Sequence, residues 1–261
     1  MKIWTIANQK GGVGKTTSVA ALAGILAEKG FRVLMLDCDP HASLTSYFGY
    51  DSETLDNNLF SWFANKPDSA QQARDTIIEL PNESLSLMPA SLSLATLDKK
   101  FSQRDGMGLV VTKVLSLLKD DYDYVLIDCP PILGILMINA LAACQLLLVP
   151  VQTEFLAIKG LQRMMDTLNM VIKAQHHSIE YKIVPTMFDR RTRASVKALR
   201  NMRDEFGIHL WDRWIPVDTK FRDASSAHRT PSHLFPRTHG VGAYKKLAET
   251  LLAMSEQAKV A

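Results

Sequence analysis

Lys10-Gly11-Gly12-Val13-Gly14-Lys15-Thr16-Thr17 is the stretch on which the fold turns. Before it runs Ile3-Trp4-Thr5-Ile6-Ala7, apolar enough for a buried strand; after it, Ser18 to Glu28 has helical character. Strand, glycine loop and helix in that order form the setting of a phosphate-binding loop. Three glycines let the backbone curl until successive N–H groups point at one anion. The helix that follows turns its positive end toward the same point. In such a loop Lys15 reaches the β- and γ-phosphates and the Thr16 hydroxyl ligates Mg²⁺, while Gly11, Gly12, Val13, Gly14 and Thr17 complete the cradle. Two departures from the standard pattern stand out. Gln9 occupies the place of the first glycine, and a second lysine, Lys10, opens the loop.

Working outward, apolar runs and helical patterns alternate. Arg32–Asp37, Leu85–Met88, Tyr124–Asp128, Leu146–Val151, Tyr181–Thr186 and Trp211–Pro216 read as strands. Helices are expected at Ala42–Phe48, Leu92–Phe101, Leu109–Leu118, Gly134–Ala143, Phe155–Ala174, Thr192–Phe206 and Ala243–Met254. Asp51–Glu83 is the least legible region, apart from a Leu59–Phe63 cluster that reads as a helix, and Val217–Gly240 reads as loop. The alternation predicts one α/β domain over residues 1–261: a P-loop NTPase with a twisted, mostly parallel sheet and helices on both faces. At 261 residues and 47% hydrophobic, the chain can build the core this requires.

The remaining composition narrows the function classes. Cys38, Cys129 and Cys144 are odd in number, and their spacing fits neither a zinc site nor a disulfide framework, so reduced, buried thiols are expected. No secretory signal and no membrane-spanning stretch is expected. The net charge is only +3, but it is unevenly spread: Tyr181–Gly240 holds twelve Lys/Arg against six Asp/Glu. Such an asymmetry points to a basic face.

A magnesium nucleotide also needs carboxylates, and two strand ends offer them. Asp128 ends one apolar run; Asp37 and Asp39 end another. In an open parallel sheet the ligand lies at the carboxyl ends of the strands, where these acids fall. The loop, the Asp37-Cys38-Asp39-Pro40 segment and Ile127-Asp128-Cys129-Pro130-Pro131 together resemble the ParA/MinD family of deviant Walker ATPases. The likeness continues through Asn139-Ala140-Leu141, Val149–Glu154, Thr186–Thr192, Ile215-Pro216 and Ala243-Tyr244, and so covers nearly the whole chain. It is similar to the ParA side, the short partition proteins without an N-terminal DNA-binding extension. The wording of Asp39–Ser43 and Thr45–Gly49 further resembles ParA-like proteins of chemotaxis or flagellar gene clusters.

The resemblance implies a cytoplasmic ATPase, nucleoid-associated or polar, with ATP and Mg²⁺ as cofactors. It implies a homodimer with ATP, stimulated by a ParB-like or other cargo partner. The MinD side uses a C-terminal amphipathic helix at membranes. Here Lys245–Met254 carries only two lysines and small or medium apolar residues, so a helix packed on the sheet and no membrane insertion are expected. Lys10 would reach the partner's phosphates across the dimer, a role in which a cation stabilises charge on the γ-phosphate. Asp39 would orient the attacking water and stand near the metal with Thr16 and Asp128, with Asp37 supporting. Thr186, Met187 and Pro216 would border the adenine; Thr186 stands where relatives often carry Asn. His41 replaces the usual Gln. Arg191 and Lys220 match residues that bind DNA without sequence preference in relatives, although Lys220 replaces Arg and Val217 stands where an Arg is common. Arg190, Arg193, Lys197, Arg200 and Arg203 add cations around one predicted helix. The alternative is a nucleotide-dependent polar adaptor that does not touch DNA.

Overall fold

The computed structural model describes residues 1–81, 84–101, 106–154, 157–175 and 179–257. In chain order the first half holds β1 (Lys2–Ile6), α1 (Lys15–Glu28), β2 (Val33–Asp37), α2 (Ser43–Tyr47), α3 (Leu59–Ala64), α4 (Ala70–Arg74), β3 (Ile78–Glu79), β4 (Leu85–Met88), α5 (Leu97–Phe101) and α6 (Val110–Leu117). The second half holds β5 (Tyr124–Asp128), α7 (Ile135–Ala143), β6 (Leu146–Gln152), α8 (Ala157–Gln175), β7 (Glu180–Thr186), α9 (Arg193–Phe206), α10 (Lys220–Ser226), α11 (Pro231–Leu234) and α12 (His239–Gln257). The strands form one seven-stranded sheet in the order β3-β4-β2-β5-β1-β6-β7. All pairings are parallel except β3 with β4. The expected α/β architecture with a mostly parallel sheet is therefore present.

The central strands are apolar throughout because both of their faces are covered. Alternate residues of β2 enter opposite cores: Leu34 and Leu36 pack on one face, Val33 and Met35 on the other. α3, α6, α7 and α8 cover the first face; α1 and α12 cover the second. The closing helix buries Tyr244, Leu247, Ala248 and Leu251 in that second core, so its apolar stripe is occupied by the sheet layer rather than left for a membrane. No helix among the described residues is long and apolar enough to cross a membrane. The three cysteines are buried and unbonded.

Two expectations need correction, and one region left unread takes shape. Trp211–Pro216 is not a strand. It runs beside β7, bonded through Trp211 N–H to Ile183 O (2.8 Å) and Ile215 N–H to Pro185 O (2.8 Å), and then meets Phe188, whose N–H donates to Ile215 O (3.1 Å). These contacts form isolated bridges at Leu210 and Pro216 rather than a continuous ladder. Val217–Gly240 is not loop: it contains α10 and α11, and α12 already begins at His239. Their segments are too short to show an apolar period and are held by tertiary contact, with Thr230 and Ser232 lying directly against Gly24 of α1. In Asp51–Glu83 the Leu59 helix is present, capped by Asn58 accepting from Phe60 N–H. That region also forms α4 and the two-residue edge strand β3, which the sequence pattern does not predict. The helix expected from Phe155 is α8; Phe155 itself and the Glu83 boundary lie outside the described residues.

Candidate nucleotide site

β1 ends at the centre of the sheet, where the order reverses: β1 leads through α1 to β2, passing over β5, and β6 lies on its other side. The loop that leaves β1 is held from below. Asn8 donates to Pro150 O (2.8 Å) and accepts from Lys10 N–H (3.0 Å). Gln9, where a glycine is standard, donates to the Thr167 hydroxyl of α8 (2.6 Å), which anchors the loop's first residue. Gly12 and Gly14 have φ of +73° and +92°, a region where a side chain would be strained. Nothing lies within 4 Å of where a Cβ would stand on Gly11 or Gly12. α1 begins at Lys15 with Gly14 as its cap and with no side-chain partner for its first amides. Those amides and the helix dipole are available to an anion.

The expected acids converge on this loop. Thr16 Oγ1 donates to Asp128 Oδ2 (2.6 Å), and Asp128 pairs across the sheet with Asp37 in register. Asp128 is buried, and its second oxygen, Oδ1, has no hydrogen-bond partner. Burial pushes its carboxyl well above the ordinary carboxylate range, and Asp37 pushes it further, while Thr16 and Lys15 draw it back. An orphaned buried carboxylate oxygen next to a threonine hydroxyl fits a divalent cation held directly or through water. Asp37 is different. Its Oδ2 accepts from both Thr45 N–H and Thr45 Oγ1 (2.8 Å each), and its Oδ1 accepts from Asp39 N–H (3.1 Å). Burial still raises its carboxyl to about 6. Asp37 thus fixes the Asp39 turn and the start of α2 from inside the core.

Asp39 sits at the mouth of the site, and its Oδ1 accepts from His41 N–H (3.0 Å) and lies 2.9 Å from His41 Nδ1. The residue at the unusual position therefore touches the carboxylate expected to act on water. Lys15 Nζ donates to Lys10 O (3.3 Å), folded back across the loop. Lys10 Nζ pairs with the Glu154 carboxylate of its own chain. Thr186 is buried and donates to Val13 O (2.9 Å), so it supports the loop's backbone. Met187 follows in the left-handed region (φ +52°), with its Cε 4.0 Å from the Cβ position of Gly14. Pro216 lies opposite Phe188 through an isolated bridge.

The sequence reading missed Asn8, Thr45, Thr167 and Glu154, the residues that hold the expected ones in place. Glu154 and Thr45, each inside a quoted motif, carried a local signal; Asn8 and Thr167 are polar residues joined by tertiary structure.

The basic residues form a separate region. Arg191 is 84% exposed and makes a two-pronged bond to Asp189 (2.9 and 2.8 Å). Lys220 pairs with Asp223 (2.8 Å), its ammonium 5.1 Å from the centre of the Phe235 ring. Arg193, Lys197 and Arg200 follow on α9, which Thr192 caps by accepting from Ser195 N–H.

A glycine cradle at a helix start, at the reversal point of a parallel sheet and beside a buried carboxylate, defines a P-loop nucleotide protein of α/β fold. The comparisons agree. The AAA domain family matches residues 1–181. The sporulation initiation inhibitor protein Soj of Bacillus subtilis is 32% identical over 254 residues, covering 97% of this chain and 98% of Soj. The chromosome partitioning protein ParA of Caulobacter vibrioides is 32% identical over 266 residues, covering 100% and 98%. Among solved structures, the cobyrinic acid a,c-diamide synthase of Mycobacterium smegmatis, with bound ATP analog and magnesium, superposes with a TM-score of 0.85 at 29% identity over 99% of this chain and 97% of that one. The chain belongs to the ParA/MinD family of deviant Walker ATPases.

Proposed function

We propose that the protein is a Mg²⁺-dependent ATPase that alternates between a monomer and an ATP-bound dimer to position or segregate a cargo. The observation that carries this reading is the Thr16–Asp128 pair with its orphaned Oδ1, set under an open glycine cradle. Gly11–Thr17 hold the phosphates, Thr16 and Asp128 hold the metal with Asp39 close by, and Met187, Thr186 and Pro216 flank the base. Bound Mg²⁺ supplies neutralisation of charge on the phosphates. Lys15 stabilises charge developing on the γ-phosphate. Asp39 orients water, itself held by His41 and by the Asp37-bound turn.

Lys10 acts across the dimer. In the single chain it is held by Glu154, a pair exposed enough to contribute only about 0–1 kcal/mol, so a partner's phosphates can draw it away. Turnover is slow until a ParB-like or other partner stimulates it, because fast hydrolysis would never populate the dimer. The relatives' names, chromosome partitioning ParA and Soj, support a chromosome or plasmid as cargo; a chemotaxis or polar complex is the narrower possibility from sequence. Non-specific DNA binding by the dimer would use Arg191 and Lys220, placing it in the cytoplasm on the nucleoid.

One observation favours a second reading, the adaptor without DNA: both Arg191 and Lys220 already carry an acidic partner. Light-scattering mass with ATP and Mg²⁺ tests the dimer. The wild type is expected to approach twice its monomer mass, and Asp39→Ala, slow to hydrolyse, to stay dimeric longer. A monomer in both would defeat the switch. Gel shift at low salt, with and without ATP, separates carrier from adaptor.

A further inference from the structure

A cleft of about 990 Å³ opens between the Phe188–Arg191 turn, the Trp211–Val217 segment and the first turns of α12. Arg190, Arg191, Arg213, Arg237 and Lys246 line it, against the single carboxylate of Asp189. Asp189 is already bound to Arg191. Among the described residues no carboxylate pairs with Arg190, Arg213, Arg237 or Lys246. Cations gathered without counter-charges repel one another and focus a positive field on the space between them. The N-terminal end of α12 adds to that field.

The wall of the cleft is aromatic. The Trp214 indole is 37% exposed and rests on the Phe188 ring, with centroids 4.6 Å apart at 44°. Val217 beside it is 61% exposed. A rigid indole that is open to solvent and ringed by unpaired cations matches the stacking platforms of proteins that hold unpaired bases. Through Arg190 and Arg191 the cleft runs into a shallower groove of about 470 Å³ along α9, where Arg193, Lys197 and Arg200 continue the positive track. A chain of phosphates can therefore follow the surface for longer than one cavity.

We propose that this cleft takes single-stranded nucleic acid, with its phosphodiesters on Arg190, Arg213, Arg237 and Lys246 and one unstacked base on Trp214. Duplex DNA keeps its bases stacked inside; it can use the cations but not the indole. This rests on the nucleic-acid part of the proposed function and adds the strand type and the residues. Free polyphosphate shares the charge but has no base.

Fluorescence anisotropy tests it on the full chain with a non-hydrolysable ATP analogue and Mg²⁺, using a labelled mixed-sequence strand alone and annealed to its complement. The single strand is expected to bind about tenfold tighter than the duplex, and Trp214→Leu to remove that advantage while leaving duplex affinity unchanged. Trp214→Phe, which keeps an aromatic face, should retain most of it; circular dichroism confirms that both variants fold. Arg237→Glu with Lys246→Glu should weaken both forms, and inorganic polyphosphate should compete equally against wild type and Trp214→Leu. Equal binding of strand and duplex, or a silent Trp214→Leu, overturns the base platform and leaves the DNA reading standing. Binding to neither form at low salt overturns both.

Discussion

Two regions of this protein hold charge at strand ends, and they hold it in opposite ways. At the ends of β2 and β5, Asp37 and Asp128 are buried, and burial drives both carboxyls toward protonation. At the end of β7, Arg190 and Arg191 stand in water, with Asp189 beside them. The first region is electrostatically incomplete by itself: one oxygen of Asp128 has no partner in a place where an unmet acceptor is costly. The second keeps its mutual repulsion tolerable because solvent screens its charges. A desolvated cluster suits a ligand of fixed size and geometry. A screened cationic track suits a polymer that has no single register.

The largest expected effect lies in the buried region. Lys15→Ala should lower ATP hydrolysis by about 10²–10³-fold or more, since it removes a fixed charge aimed at the phosphates; steady-state phosphate release measures it, and a mild loss would put the catalytic centre elsewhere. Next comes the carboxylate scaffold. Thr45→Val removes a hydroxyl that both bonds Asp37 and accepts from Ala90 N–H (2.9 Å), so chemical denaturation should show a loss of about 1–3 kcal/mol. If stability is unchanged, Asp37 is not held as described.

The exposed region should respond more gently. Arg191→Ala is expected to weaken DNA binding uniformly across sequences and to reduce the slope of log affinity against log salt by about 1; a sequence-selective loss would contradict a purely electrostatic face. The smallest effect concerns Asp189, whose carboxyl Arg191 draws from 3.8 down to about 2. A depressed carboxylate contributes stability that is complete above its unfolded value and lost as pH falls through the folded one. The pair should therefore persist through mild acid and fail near pH 2. Carboxyl chemical shifts on titration should show this, with Arg191→Ala returning Asp189 toward its ordinary value.

The same contrast explains what could be read from the sequence. The buried region was legible because its signals are local: a glycine-lysine-threonine loop, and acids that end apolar runs such as Tyr124–Asp128. The sheet was legible because strands covered on both faces are apolar without interruption. Trp211–Pro216 imitates such a run, but it meets β7 and Phe188 through isolated bridges rather than a continuous ladder. α10 and α11 were hidden because four to seven residues are too few for a helical period. The basic face was legible as the cation excess over Tyr181–Gly240, but not which of its residues meet. Arg213 and Arg237 are separated by 24 positions and Lys246 lies on α12, so only the fold brings them beside Arg190.

One bond between the two regions has a mechanical meaning. The Thr186 hydroxyl fastens the last residue of β7 to the Val13 carbonyl in the phosphate loop, and the chain then bends sharply at Met187 toward the arginines. Loop and arginine turn thus share one point of attachment at the end of β7. The phosphate loop and the arginine turn are therefore neighbours along one strand end, separated by a single threonine hydroxyl and one left-handed residue.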